Sequence, residues 1–222
     1  MQMFEKLQEL PLLMGLSKSE LMEIVERYEF DFKKHKEGAV LATQGERTNR
    51  IVYVLAGTLT AERHEPQQGF CLTETIDTVP LLLEPHNLWG LRQQYARTYS
   101  LETEGATCSI SKRQLSALIS SFEVVKTNVL SLVCNRMQMV EYGLMAPWPS
   151  TTEARILRFV RDRALTPSGR KQLRMKMQTL ADLIQEGRLS VSKVLNGWQE
   201  RGLLEMRRGV VDFFDLGMLM NH

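Results

Sequence analysis

Cysteine is scarce in this 222-residue chain. Its three cysteines, Cys71, Cys108 and Cys134, form no C-x-x-C pair or other spacing typical of a zinc or iron-sulfur site, and they read as reduced, buried thiols. Long apolar runs are absent as well. No stretch approaches the roughly 18 residues needed to span a bilayer, and the first residues do not pair a charged segment with an apolar one, so the expectation is a cytoplasmic protein with no membrane partner. Charge of one sign is also missing: 28 Lys and Arg stand against 26 Asp and Glu, a net charge of +2. Such a balance names no partner, so any nucleic-acid argument has to be local. There is no phosphate-cradling glycine loop, metal-ligand cluster, or nucleophile and base at motif spacing, which argues against an enzyme and against a resident metal or cofactor. His35, His64 and His86 stand singly in strand-like surroundings and read as surface or hydrogen-bonded residues rather than haem ligands.

What is present is a 43% hydrophobic composition, enough for real cores, in a length that suits two domains. Residues 4–28 carry Leu7, Leu10, Leu21, Ile24 and Val25 at helical spacing, interrupted by Pro11 and restarted at Ser17, where Ser17 and Glu20 form a capping-box pattern. From Phe30 to Ile110 short apolar runs such as Ile51 to Leu55, Cys71 to Thr73 and Tyr99 to Leu101 alternate with glycines, which predicts an antiparallel roll or barrel. Helical pattern returns at about Ser111 and runs from Phe122 to Met145 until Pro147 and Pro149 break it. A helix from about Thr152 to Leu165, a turn at Pro167 to Gly169, two more helices and two short strands complete the chain. The fold class expected is α+β, with residues 1–121 as an N-terminal roll-containing domain, 122–146 as a long helix and 147–222 as a C-terminal domain.

On the long helix Leu130, Val133, Met137, Val140 and Leu144 recur at alternating steps of three and four, a coiled-coil seam that predicts a homodimer interface. A second row, Val125, Val129, Leu132 and Met139, adjoins it with Arg136 as its interruption. One stripe would dock the helix on its own domain, and two predict docking plus a partner helix.

From Met177 onward a short helix, a turn near Ile184 and a second helix from about Gly187 have helix-turn-helix spacing, with small Ala181 allowing a close crossing. Val191, Val194, Leu195 and Trp198 fall at i, i+3, i+4 and i+7 and form the buried side. Arg188, Leu189, Lys193 and Asn196 then point outward, where Arg suits guanine and Asn suits adenine in a major groove. Gln178, Ser190 and Ser192 complete the candidate DNA-binding set on the helices. Arg207 and Arg208 mark the tip of a hairpin wing suited to phosphate. The surroundings are basic: Arg155, Arg158, Arg161, Arg163, Arg170, Lys171, Arg174 and Lys176. A helical module that docks a protein, in a ligand-sensing or scaffold chain, is the alternative class.

The order of these features resembles the cyclic-AMP receptor protein and FNR family of transcription regulators over essentially the whole chain. The resemblance rests on Leu10 to Ser17 with Glu20-Leu21, on Lys36-Glu37-Gly38, Gly45-Glu46 and Tyr53 to Gly57, and on Arg188 to Leu195, Gly202 to Leu204 and Arg208-Gly209. It implies a cyclic-nucleotide-binding-like β-roll, a long dimerisation helix and a winged helix-turn-helix on palindromic double-stranded DNA. RNA polymerase and a small-molecule effector are the further partners it implies. Gly90 and Arg97 match the frame of that family's phosphate cassette, so the implied effector pocket is Gly90, Leu91, Arg92, Arg97, Thr98, Val140 and Glu141. Leu91 replaces the cassette glutamate, Arg92 to Ala96 is shortened, and Val140-Glu141 stands where adenine would be read. Either an effector other than cyclic AMP, or a roll that has lost sensing and serves as a dimerisation scaffold, is therefore expected. In the recognition helix Arg188 matches the guanine-reading arginine, Lys193 replaces a second arginine, and Leu189 replaces a glutamate that accepts from cytosine.

Overall fold

The computed structural model describes residues 7–77 and 80–220. In chain order the helices are α1 Lys18–Arg27, α2 Lys112–Ser121, α3 Glu123–Met145, α4 Thr152–Arg161, α5 Met177–Leu183, α6 Arg188–Glu200 and α7 Leu216–Met220. The strands are β1 Asp31–His35, β2 Val40–Ala42, β3 Arg50–Ala56, β4 Leu59–Glu65, β5 Phe70–Ile76, β6 Leu81–Leu82, β7 Thr98–Leu101, β8 Gly105–Ser111, β9 Lys171–Met175, β10 Leu204–Arg207 and β11 Val210–Phe213. The α+β class and the antiparallel roll are as expected.

Two compact units divide the chain, and the division is not linear. One comprises residues 1–58, 77–96 and 101–145, and the other comprises 59–76, 97–100 and 146–222. The last segment of the second unit begins at Ala146, beside Pro147-Trp148-Pro149, and the hairpin β4–β5 belongs with these C-terminal residues. Strand pairing is the reason, since β5 lies between β4 and β9.

In the first unit the strands run β1-β8-β3-β6, all antiparallel. Ser17 caps α1 in a complete capping box, with Glu20 N–H donating to its side chain and Glu20 Oε2 accepting from Ser17 N at 2.8 Å. Leu10, Leu21, Ile24, Tyr53, Ile110, Leu115, Leu118 and Val125 form the core. Phe122 leaves helical geometry at the end of α2, so α3 starts at Glu123. Val125 is buried and Val129 and Leu132 pack on the same core, so these three of the second row dock α3, while Met139 is 62% exposed. Asn128 adds two bonds from the same helix, to Leu12 O at 3.1 Å and Met14 O at 2.8 Å.

The second unit has a sheet in the order β10-β11-β9-β5-β4-β7. Its core gathers Ile156, Phe159 and Val160 of α4, Leu180 and Ala181 of α5, Val191, Leu195 and Trp198 of α6, and Phe70 and Leu72 of β5. Helix α4 ends at Arg161, four residues short of the expected Leu165, and β9 was not expected at all. Both differences trace to Glu74, whose carboxylate accepts from Leu165 N at 2.6 Å and Thr166 N at 3.1 Å and so engages the connection between α4 and β9.

The expectation of three buried thiols holds only for Cys108; Cys71 is half-buried and Cys134 is exposed on α3. Burial, with Asp31 nearby, pushes the Cys108 thiol up to about 12. Because the thiolate is the nucleophile, Cys108 should stay unmodified by iodoacetamide at mildly alkaline pH in the native protein, while Cys134 is alkylated. Peptide mass mapping before and after denaturation checks this, and native labelling of Cys108 would contradict its placement.

Candidate nucleic-acid interface

Helices α5 and α6 cross through small and branched side chains. Ala181, Leu180 and Ile184 are buried on one side, Val191, Leu195 and Trp198 on the other. Gln185 makes the turn in left-handed geometry, φ +57°, and Glu186 N donates to Ala181 O at 2.9 Å. This packing settles which face of α6 is free. Arg188, Leu189, Ser190, Lys193 and Asn196 are exposed, Leu189 by 86%, and Ser192 is partly exposed. Helix α6 has no side-chain cap and no acidic residue in its first turn, so its N-terminal N–H groups and the macrodipole add to the charge of Arg188. Gln178 is exposed on α5 and donates to Asp182 at 2.8 Å. Asn196 lies one turn after Ser192, at 3.5 Å.

The wing is the β10–β11 hairpin, turned by Arg208 and Gly209, whose φ of +73° is a conformation glycine adopts without strain. Its two arginines have different fates. Arg208 is exposed at the tip, whereas Arg207 donates to the buried Asp212. Gln172 donates to the same carboxylate at 2.7 Å. Burial pushes the Asp212 carboxyl up, but the bonds from Arg207 and Gln172 outweigh it and hold it below its ordinary value.

The basic surroundings are largely structural. Arg155 donates to Pro149 O at 2.8 Å and Gln185 O at 3.0 Å and pairs with Glu186 at 3.0 Å, tying the hinge peptide to the helix-turn-helix turn. Arg158 donates to Ala146 O and Pro147 O, and both guanidiniums stack on Trp148. Lys171 is no surface charge: it is fully buried and pairs with Glu74 at 3.0 Å.

The residues assigned to an effector pocket are dispersed. Gly90, Leu91 and Arg92 are exposed in the first unit, where Leu91 and Arg92 line an open cavity of about 420 Å³ with Arg47, Gln93 and Gln94. Val140 and Glu141 are exposed on α3. Arg97 is buried in the second unit, donates to Arg163 O at 2.9 Å, and lies 3.8 Å from Glu74. Thr98 lies in the same unit, partly buried. His35 is hydrogen-bonded to Thr107 at 2.8 Å, as a lone strand histidine should be. The seam residues Leu130, Val133, Met137, Val140 and Leu144 are 38–76% exposed, so their own unit leaves this apolar stripe uncovered.

An antiparallel roll, a 23-residue helix and a winged helix-turn-helix define the fold class. It is the fold of the catabolite activator protein of Thermus thermophilus, which this chain matches with a TM-score of 0.52 and 20% identity over 96% of its own length and 97% of that protein's. Looser likenesses include the c-di-GMP-responsive global regulator CLP of Xanthomonas campestris, at TM-score 0.47 and 18% identity over 89% of this chain and 99% of that one. FixK2 of Bradyrhizobium japonicum follows at 0.46 and 12% over 87% and 96%. No protein-family model matches the chain. No curated protein matches it either. At the level of fold the resemblance to the cyclic-AMP receptor protein and FNR family stands. Among the described residues no single helix is long and apolar enough to cross a membrane.

Asp212 gives the wing a pH signature. A carboxyl held below its unfolded value contributes stability above that value and loses it as pH falls through the folded one. Asp212→Asn should therefore cost about 1–3 kcal/mol near neutrality, because Arg207 and Gln172 lose a charged acceptor. The cost should shrink in acid below the ordinary carboxyl value of 3.8. Thermal melts of both proteins across this range check it, and a pH-independent difference would count against the assignment.

Proposed function

We propose that the protein is a sequence-specific DNA-binding transcription regulator that acts as a homodimer and answers to an effector other than cyclic AMP. The observation that carries the reading is the outward face of α6: Arg188, Leu189, Lys193 and Asn196 stand free on a helix anchored by Val191, Leu195 and Trp198. Arginine and asparagine on such a face can make bidentate contacts with guanine and adenine. Arg208 at the wing tip adds a phosphate contact. The uncovered seam on α3 supports pairing with a second copy, which sets two recognition helices on a palindromic site. RNA polymerase is a partner in this reading, and the cavity beside Leu91 and Arg92 is where the effector would be sought.

Sequence readout and phosphate binding separate by mutation. Arg188→Ala should cost about 1–3 kcal/mol on the preferred site and flatten preference at one base pair. Arg208→Ala should weaken all sequences alike and reduce the salt slope by about one unit. Selection of bound sequences from a random pool, with binding measured over a salt series, reads both. An unchanged motif after Arg188→Ala would show that α6 is not the reading helix, and salt-indifferent binding would point to a protein-docking module.

The seam is tested by Val133→Glu with Met137→Glu, which puts unpaired charge into an apolar contact. The double variant should sediment as a monomer and lose tight binding to the selected site. A variant that remains a dimer at micromolar concentration would place the interface elsewhere.

A further inference from the structure

The sheet of the DNA-reading unit is completed by a strand from the other half of the chain. Strand β5 pairs with β9 over five residues, Phe70↔Met175, Cys71↔Arg174, Leu72↔Leu173, Thr73↔Gln172 and Glu74↔Lys171, and β9 leads directly into α5. We propose that the β4–β5 hairpin is a permanent part of the DNA-binding module, one that positions the helix-turn-helix and stays paired with β9 while DNA is bound. The proposal rests on the DNA-binding reading above.

Three further observations point the same way. Phe70 and Leu72 sit in one core with α4, α5 and α6, and Phe70 meets Phe159 edge to face at 5.6 Å. Beneath them Glu74 and Lys171, 1% and 0% exposed, form a satisfied network in which the ammonium also donates to Thr166 Oγ1 and Ser168 O, both at 2.7 Å. At the hairpin tip a Cβ on Gly69 would lie 3.5 Å from Thr179 of α5, so the tip abuts the first helix of the reading pair. Withdrawing β5 would strip β9 of its ladder partner, uncover Leu173, and part Lys171 from Glu74. An edge strand laid bare in this way invites non-native pairing, and a buried charge parted from its partner is costly. A module meant to release this hairpin would not carry its main ion pair and two core residues on it.

Cys71 faces Arg174 directly. Opposed residues in an antiparallel pair lie about 4.5–5.5 Å apart at Cα, within reach of a disulfide. Arg174→Cys in a Cys134→Ser background therefore locks β5 to β9 reversibly. The probe is a fluorescent random-sequence duplex at low salt. The disulfide should form in the folded protein, raise the melting temperature, and leave the Kd of the oxidised form within about threefold of the reduced form. Loss of binding on oxidation that reductant restores would overturn the proposal, because the hairpin would then have to leave for DNA to bind. Failure of the disulfide to form in the folded protein would overturn it too. A reduced protein that does not bind the duplex refutes the DNA-binding reading instead, while disulfide formation and the melting shift still decide the pairing.

Discussion

A lysine ammonium with no solvent exposure imposes a condition on every element around it. Lys171 sits in the middle of a sheet, and its charge is tolerable only because Glu74 stands opposite and Thr166 and Ser168 take the remaining protons. That requirement fixes the register of β5 on β9, since a slip of one residue would turn Glu74 to the other face and Leu72 with it. Register in turn sets where β9 ends and α5 begins. The same carboxylate accepts from Leu165 and Thr166, so one buried pair engages the connection out of α4 and the strand into the helix-turn-helix.

Helix α3 is governed by a different constraint, the division of one helix between two apolar environments. Val125, Val129 and Leu132 are covered by its own unit, and Asn128 ties the same side to the N-terminal turn. The seam from Leu130 to Leu144 is left in water, and a stripe of this kind lowers its free energy by meeting another helix. Two heptads are a short seam, which suits an interface assisted by other surfaces.

How much of this was legible in the sequence depended on the range of the interaction. The capping box at Ser17, the docking residues Val125, Val129 and Leu132 of α3 and the buried side of α6 are local periodicities, and each was read with the face it occupies, whereas Met139 was placed in the docking row and is exposed. Strand β9 was not, because Lys171-Gln172-Leu173-Arg174-Met175 offers only two apolar residues, Leu173 and Met175, and a lysine reads as surface until its partner is known. That partner lies in β5, and no spacing rule joins the two. The same limit hid the internal partners of Arg155 and Arg158, while Arg161, Arg170, Arg174 and Lys176 are exposed as basic residues usually are. The prolines at Pro147 and Pro149 mark a break in helix, but a break in sequence says nothing of a strand that crosses back to pair.

The balanced net charge of the chain looked silent about a polyanionic partner, and the structure explains how a local field can exist within it. Three acidic groups around α5, α6 and the β10–β11 hairpin are engaged from within, Glu186 by Arg155, Asp212 by Arg207 and Gln172, and Asp182 by Gln178, while Glu205 is exposed. Arginines engaged in this way have fewer donors left for solvent, so the count of basic residues overstates the free positive charge. What they achieve is indirect. With Glu186 paired beside the uncapped start of α6, the field at that helix terminus is set by Arg188, Lys193 and the exposed N–H groups. Charge-neutral composition and a locally positive helix terminus are thus compatible, because the sign of a surface is decided by which carboxylates are held by internal donors and which are left to face solvent.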